Sequence, residues 1–301
     1  QVHRESFQEI EQVAMFKPLT KWSAQVPRAE RIPELMRQAF RVATSGKKGP
    51  VHIDIPRDLF NEQVDVEVLP HSRYREERTG AAHSDSVAAA VDALVKAQRP
   101  IIVAGLGVHD SSAQREVLEL AEMLSAAVVT SYARNDAVPT GHPHVLGAIG
   151  RAGAPEAKAA IKNADLILAA GTRLAHFTTM YDHSNIPAGV PILQIEIDPR
   201  EVGRNYPLAV GMVGDARETL RAIIAGLKAR ESGWPRNKDN LAAIAKGKQE
   251  RASRLASYER LDTAPIQPRR VHAELAKVLP RDAIICIAGG TTISPVFNQY
   301  D

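Results

Sequence analysis

A single cysteine, Cys286, stands in 301 residues. One thiol cannot build a disulfide framework, so a reducing, cytoplasmic setting is expected. No apolar run approaches the roughly 18 residues a membrane helix needs, and the first residues lack the pattern of a secretion signal. Blocks of lysine or arginine are also missing. The 38 basic residues against 35 acidic ones leave a formal charge of +3, which gives no footprint for nucleic acid. Neither Gly-x-Ser-x-Gly nor a P-loop occurs, which removes support for nucleophile-elbow hydrolases and ordinary P-loop enzymes. The loop histidines His142, His144, His176 and His183 have no cysteine or carboxylate at zinc-like spacing, so no metal site is expected on them.

What is present is an alternation of short apolar runs and amphipathic stretches. With 44% hydrophobic and 24% charged residues the chain can bury sizeable cores, and its length suits two domains or one plus pieces of others. In "ERIPELMRQAFRVATS", Ile32, Leu35, Met36, Ala39, Phe40 and Ala43 recur at helical spacing, with Gly46 at the C-terminal cap. A tight turn leads into "PVHIDI", whose Val51, Ile53 and Ile55 alternate with polar residues and predict a strand stopped by Pro56. No sheet partner for this strand is recognisable before it. Residues 1–66 therefore read as the back part of an α/β domain and 67–83 as a linker.

From residue 84 to 230 the alternation is complete. The strands are expected in "PIIVAG", "AVVTS", "DLILAAG", "PILQIEID" and "AVGMVG", with helices between them and a long loop over "YARNDAVPTGHPHVLGAIG". This is the pattern of a parallel sheet covered on both faces, a three-layer Rossmann-like α/β domain. Residues 231–262 read as a helical connector, and 263–301 as the start of a third unit.

Ligands of such sheets sit beyond the carboxyl ends of the strands, where glycine, arginine and carboxylates can meet phosphate and ribose. The candidates are Gly105 and Gly107; Thr130 and Ser131; Gly147, Gly150 and Gly153; Gly171 and Arg173; Glu196 and Asp198; and Asp215. The NAD fingerprint is incomplete. Asp110 stands where a third glycine would come, and the second strand ends Thr130-Ser131-Tyr132 with no acid for a ribose.

The ordered set "SFQEIEQVAMFKPLTKWSAQV", "TSGKKGPVHIDIPRDL", "RPIIVAGLGV", "DLILAAGTRL", "ILQIEIDPREVGRNYPLAVGMVGDA" and "QPRRVHAEL" resembles thiamine-diphosphate enzymes of the acetolactate synthase type, a group that includes glyoxylate carboligase and sulfoacetaldehyde acetyltransferase. The resemblance implies three parts: the end of a pyrimidine-binding domain, a whole middle domain, and the start of a diphosphate-binding domain. It implies FAD or ADP contacts in the middle domain at Gly105, Leu106 and Gly107, Thr130 and Ser131, Ile149, Gly150 and Arg151, Gly171 and Arg173, Glu196 and Ile197, and Asp215 and Ala216. It implies thiamine diphosphate and magnesium as cofactors, a 2-oxo acid substrate, and a homodimer or homotetramer.

By the same resemblance, Phe7 and Gln8 face a neighbouring subunit's thiamine site, Arg57 lines substrate access, and Gly290, Thr291 and Thr292 meet the cofactor's phosphates. Lys47 stands where synthases commonly place an arginine on FAD phosphates, and a lysine offers a point charge instead of a fork. Two further departures are Arg151-Ala152, where the synthases usually show Met-His, and Phe177, where they usually show a second arginine. The family's catalytic glutamate and its magnesium motif do not appear in these residues. No residue here is therefore expected to be a catalytic acid, base or metal ligand, and the 301 residues alone are expected to be inactive. The alternatives are a nucleotide-binding module without catalysis and a dehydrogenase with an atypical dinucleotide fold.

Overall fold

The computed structural model describes residues 7, 9–74, 79–151, 153–183, 185–230, 233–234, 236–280 and 282–286. The chain divides into two compact units, Gln1–Arg78 and Thr79–Asp301, and the division falls inside the stretch read as a linker.

The first unit contains α1 (Gln12–Phe16), β1 (Ser23–Gln25), α2 (Ile32–Thr44) and β2 (His52–Asp54). β1 and β2 pair in parallel, Ala24 opposite Ile53, so the strand does have a partner before it. Three residues of β1, with no alternating apolar pattern, gave no signal. Val26, Ala29, Leu35 and Leu59 form the small core, with Trp22, Ile32, Ile53 and Ile55 packed against it. The helical stripe is narrower than its spacing predicts: Leu35 and Ala39 are buried, whereas Met36 and Phe40 are exposed. The turn after α2 is held from β1's side. Lys21 Nζ donates to the carbonyls of Ser45 and Lys47 at 2.6 and 2.9 Å, while Gly46 adopts a φ of 55° that favours glycine.

The second unit begins with α3 (Ser84–Lys96), β3 (Pro100–Ala104), α4 (Leu106–Asp110), α5 (Gln114–Leu124) and β4 (Ala127–Thr130). It continues with β5 (Val145–Ala148), α6 (Pro155–Lys162), β6 (Leu166–Ala170), α7 (His176–Thr179), β7 (Ile192–Glu196) and β8 (Val210–Val213). The last elements are α8 (Ala216–Lys228), α9 (Lys238–Tyr258) and α10 (Pro268–Val278). The sheet order is β5-β4-β3-β6-β7-β8, every pairing parallel. Numbered within the sheet this is 3-2-1-4-5-6, the doubly wound order, which reverses direction between β3 and β6.

β3 and β6 are buried over all five residues, as central parallel strands must be. Their side chains alternate between two cores. Ile102, Ala104, Leu168 and Ala170 join residues of α3, α5 and α8 on one face, and Ile101, Val103, Ile167 and Ala169 join residues of α6 and α9 on the other. In this second unit the strand that the sequence hides is β5, which lies inside the predicted long loop. "VLGA" is too short and too glycine-interrupted to show a period of two, and it is a strand because β4 offers it an edge. Residues 80–82 are not free linker: the Gly80 carbonyl accepts from the Asp215 amide at 3.0 Å, and the Ala82 amide donates to Thr219 Oγ1 at 3.0 Å.

The connector forms α9, capped by the Asn237 side chain, which accepts from the Asn240 amide. It is buckled to α6 by an ion pair. Arg254 reaches both oxygens of Glu156 at 2.9 and 3.0 Å, and the Glu156 side chain is only 4% exposed. α10 continues in the same unit, its Arg269 lying over the Tyr258 ring at 5.2 Å and its Lys277 pairing with Glu259 at 2.9 Å. No strand forms over 283–286 of the expected third unit; the rest of that segment lies outside the described residues.

Burial pushes the Glu156 carboxyl pKa up, but hydrogen bonds from Arg254 and its own amide, with the charges of Arg254 and Arg251, outweigh it and hold the pKa below the ordinary 4.5. A depressed carboxylate pKa stabilises the fold above its unfolded value, and that contribution is lost as pH falls through the folded value. Glu156→Gln is therefore expected to destabilise the unit by on the order of 3 kcal/mol at pH 7, because Arg254 keeps its charge without a counterion. The difference between wild type and variant should shrink as pH drops below the ordinary carboxylate range, read by chemical denaturation at pH 7, 5 and 3.5.

Candidate functional site

All six strands of the second unit point the same way, so their carboxyl ends share one edge, and every predicted middle-domain residue lies along it. The edge is not uniform. At the reversal between β3 and β6 the two loops are locked together by backbone. The Gly105 amide donates to the Ala170 carbonyl at 3.0 Å and the Gly107 amide to the Gly171 carbonyl at 2.9 Å. A Cβ on Gly105 would lie 2.5 Å from the Gly171 oxygen, and one on Gly107 would lie 2.7 Å from the Gly171 Cα. Gly171 itself has a φ of 57°. These three glycines are required by the contact of one loop with another, so the cradle they form is filled by protein. The Leu106 side chain, 47% exposed, stands at the surface beside them.

The β7 and β8 ends are likewise occupied. Glu196 Oε1 accepts from the amides of Ile197 and Asp198 at 3.0 and 3.4 Å, so this carboxylate organises its own turn. Asp215 caps α8, its Oδ1 accepting from the Glu218 amide at 3.1 Å in an Asp-x-x-Glu arrangement, with Ala216 buried behind it. Arg173 lies 3.6 Å from Glu201, which also holds Arg204 at 3.1 Å, and Arg200 forks onto Asp198 at 2.9 and 2.8 Å. Charge on this side of the edge is neutralised within the protein.

The β4–β5–β6 corner differs. Thr130 and Ile149 are fully enclosed and serve the core, while Ser131 donates from its hydroxyl to the Ala104 carbonyl. Gly150, with a φ of 95°, lets the chain pass against the Phe177 backbone, and the Arg151 amide donates to the Phe177 carbonyl at 3.0 Å. The Arg151 guanidinium then lies over the Phe177 ring, 5.7 Å from its centroid. Tyr132 and His176 each approach Phe177 at 5.2 Å, and Tyr181 approaches His176 at 5.1 Å. Tyr132, His176, Phe177 and Tyr181 were not predicted as site residues. Their signal was faint: aromatic residues make up only 5% of the chain, yet three of them fall in two strand-end loops.

The remaining predicted residues belong elsewhere. Lys47 and Arg57 are exposed in the first unit, Arg57 opening the turn after β2, and Phe7 is 93% exposed. Gln8, Gly290, Thr291 and Thr292 lie outside the described residues. Among the described residues no group of three histidine, cysteine, aspartate or glutamate side chains could hold a metal ion, and no helix is long and apolar enough to cross a membrane.

Residues 87–223 match the family described as the thiamine pyrophosphate enzyme central domain. The likeness to the thiamine pyrophosphate enzymes thus rests on the domain at residues 87–223. Its relatives include a probable acetolactate synthase large subunit of Methanocaldococcus jannaschii, 33% identical over 291 residues, which cover 92% of this chain and 46% of the relative. A sulfoacetaldehyde acetyltransferase of Alcaligenes xylosoxydans is 32% identical over 323 residues, covering 98% and 52%. A putative thiamine pyrophosphate-containing protein of Bacillus subtilis, YdaP, is 30% identical over 291 residues, covering 97% and 48%. The chain thus spans about half the length of the curated relatives it matches.

Since the glycines at the reversal are spoken for by protein packing, Gly105→Ala is expected to cost about 2 kcal/mol of stability with no nucleotide present. Gly141→Ala, where an added Cβ meets nothing within 4 Å, should leave the unfolding midpoint nearly unchanged. Urea unfolding of the two variants side by side checks this; an unaltered midpoint for Gly105→Ala would show that the glycine is not there for packing.

Proposed function

We propose that the protein decarboxylates a 2-oxo acid with thiamine diphosphate and passes the resulting two-carbon unit to an acceptor, by carboligation or acyl transfer. The match of residues 87–223 to the family's central domain carries this reading, and relatives named as a synthase and an acetyltransferase support it. Magnesium beside the thiamine diphosphate, a cytoplasmic setting, a homodimer or homotetramer, and FAD or ADP on the middle domain belong to the same proposal. So does the three-part organisation, with residues 1–66 ending a pyrimidine-binding domain and 263–301 opening a diphosphate-binding one.

Thiamine diphosphate, when bound, supplies the electron sink for breaking a bond beside a carbonyl. The chain's own residues would do the positioning. Arg57, exposed just past the carboxyl end of β2, presents a cation to an approaching carboxylate. Lys47 projects from a turn whose backbone Lys21 fixes, which suits it to hold a phosphate as a point charge. Phe7 and Gln8 would close the thiamine site of a second copy, and Gly290, Thr291 and Thr292 would donate to the diphosphate.

The protein at the length its gene encodes, given thiamine diphosphate and magnesium, is expected to release carbon dioxide from a 2-oxo acid such as pyruvate, or to consume sulfoacetaldehyde. Both activities should vanish when thiamine diphosphate is withheld. Turnover of neither substrate across a panel of 2-oxo acids would overturn the proposal. Arg57→Gln should raise the KM for an anionic substrate about tenfold while leaving kcat within a factor of two, as expected for loss of one charge-assisted contact.

A further inference from the structure

The amino end of the sheet, opposite the predicted site residues, carries a cluster of side chains that the proposed function leaves unused. α5 ends there, and a helix end leaves carbonyls without intrahelical donors. Side chains from distant segments supply them. Trp234 Nε1 donates to the Met123 carbonyl at 2.6 Å, Asn240 Nδ2 to the Ser125 carbonyl at 2.7 Å, and His144 Nδ1 to the Ala126 carbonyl at 2.7 Å. His144 also belongs to the sheet, since its carbonyl accepts from the Val128 amide at 2.8 Å where β5 joins β4.

His142 lies beside it, the two rings 5.6 Å apart. Its Nδ1 accepts from the His144 amide at 3.3 Å, and its Nε2 faces Glu122 Oε1 at 3.1 Å. These partners assign the tautomers. A carbonyl only accepts, so His144 carries its proton on Nδ1. An amide N–H only donates, so the neutral His142 carries its proton on Nε2, aimed at the carboxylate. The two rings therefore answer acid differently. His144 can add a proton at Nε2 and keep its bond to Ala126, whereas His142 can add one only at Nδ1, where it meets the His144 N–H head on.

We infer that His142 is a proton-operated latch on the entry to β5: neutral, it holds the His144 amide; protonated, it releases that amide and stays paired to Glu122 alone. The titratable and charged groups around the ring are Glu122 from α5, His144 from the same turn, and Lys248 from α9, whose Nζ donates to the Thr140 carbonyl at 2.8 Å. β4 brings the apolar Ala126 and Ala127 to this end. The pair with Glu122 does not offset the lost bond, because that side chain is 61% exposed and an exposed ion pair is weak. Release stays local. β5 is an edge strand with β4 as its one neighbour, and the tip of the turn at Gly141 is open, an added Cβ there meeting nothing within 4 Å. The latch stands apart from the thiamine and nucleotide chemistry proposed above.

The test is nuclear magnetic resonance of the full chain with its histidines labelled in the ring nitrogens, combined with amide exchange at about pH 8 and about pH 5.5, which bracket the range where histidines change charge. At the higher pH the ring nitrogens are expected to report the Nε2–H tautomer for His142 and the Nδ1–H tautomer for His144. At the lower pH the protection of the His144 amide, corrected for its intrinsic exchange rate, should fall about fivefold, as loss of one ordinary hydrogen bond implies. Val103, central in β3, should keep its protection. His142→Asn offers Oδ1 to the same amide and takes no proton, so it should keep the protection and remove its pH dependence. Glu122→Gln should leave the pH dependence in place, because the proton on Nδ1 works the latch and the ion pair does not. An Nδ1–H tautomer on His142 at the higher pH would overturn the latch, as would wild-type protection that ignores pH, an unchanged pH dependence in His142→Asn, or its disappearance in Glu122→Gln. The tautomer is read on wild type, so a His142→Asn chain that fails to fold still leaves the latch testable.

Discussion

The second unit depends on a contact between two backbones. Between β3 and β6 the doubly wound order reverses, and the loops leaving these strands meet with no side chain between them. Gly105 and Gly107 give their amides to Ala170 and Gly171, and the absence of a Cβ on all three glycines lets the chains approach. A reversal normally leaves a crevice there. Here peptide groups of the two loops bond directly across the reversal.

The outer parts of the edge are then settled by charge. Toward β7 and β8 the sequence supplies carboxylates one to three residues from arginines, and the turns neutralise themselves: Asp198 with Arg200, Glu201 with Arg204, Glu218 with Arg221. Such pairs are individually weak when exposed. Their effect is to leave few cations uncommitted. Toward β4 and β5 the loops contribute rings in place of acids, and Arg151 stays uncommitted. A separate ion pair, Glu156 with Arg254, is buried and serves another end: it fastens the long helix α9 to α6 and so makes the connector part of the unit.

Much of this was legible in residues. Period-two and buried runs gave β3, β4, β6, β7 and β8, and amphipathic spacing gave α2, α3, α5, α6 and α8, because each element's own pattern reflects the face it buries. The strand-end glycines were singled out for close approach, and at Gly105, Gly107 and Gly171 another loop of the protein does come close. β1 and β5 were illegible, since three- and four-residue strands carry no period and exist only by pairing with a neighbour. The rings around Phe177 were missed for a similar reason: Tyr132 and Phe177 are 45 positions apart, and nothing local announces that they touch.

The sequence by itself determined a parallel α/β unit with a common carboxyl edge, since alternating buried strands and amphipathic helices admit few other arrangements. Its ordered motifs pointed to the thiamine-diphosphate enzymes, and residues 87–223 match that family's central domain. Only the tertiary structure decided which edge residues remain available. Availability depends on what each side chain has already bonded to, and those partners, Gly171 for Gly107, Glu201 for Arg173 and Phe177 for Arg151, come from loops far apart in the chain.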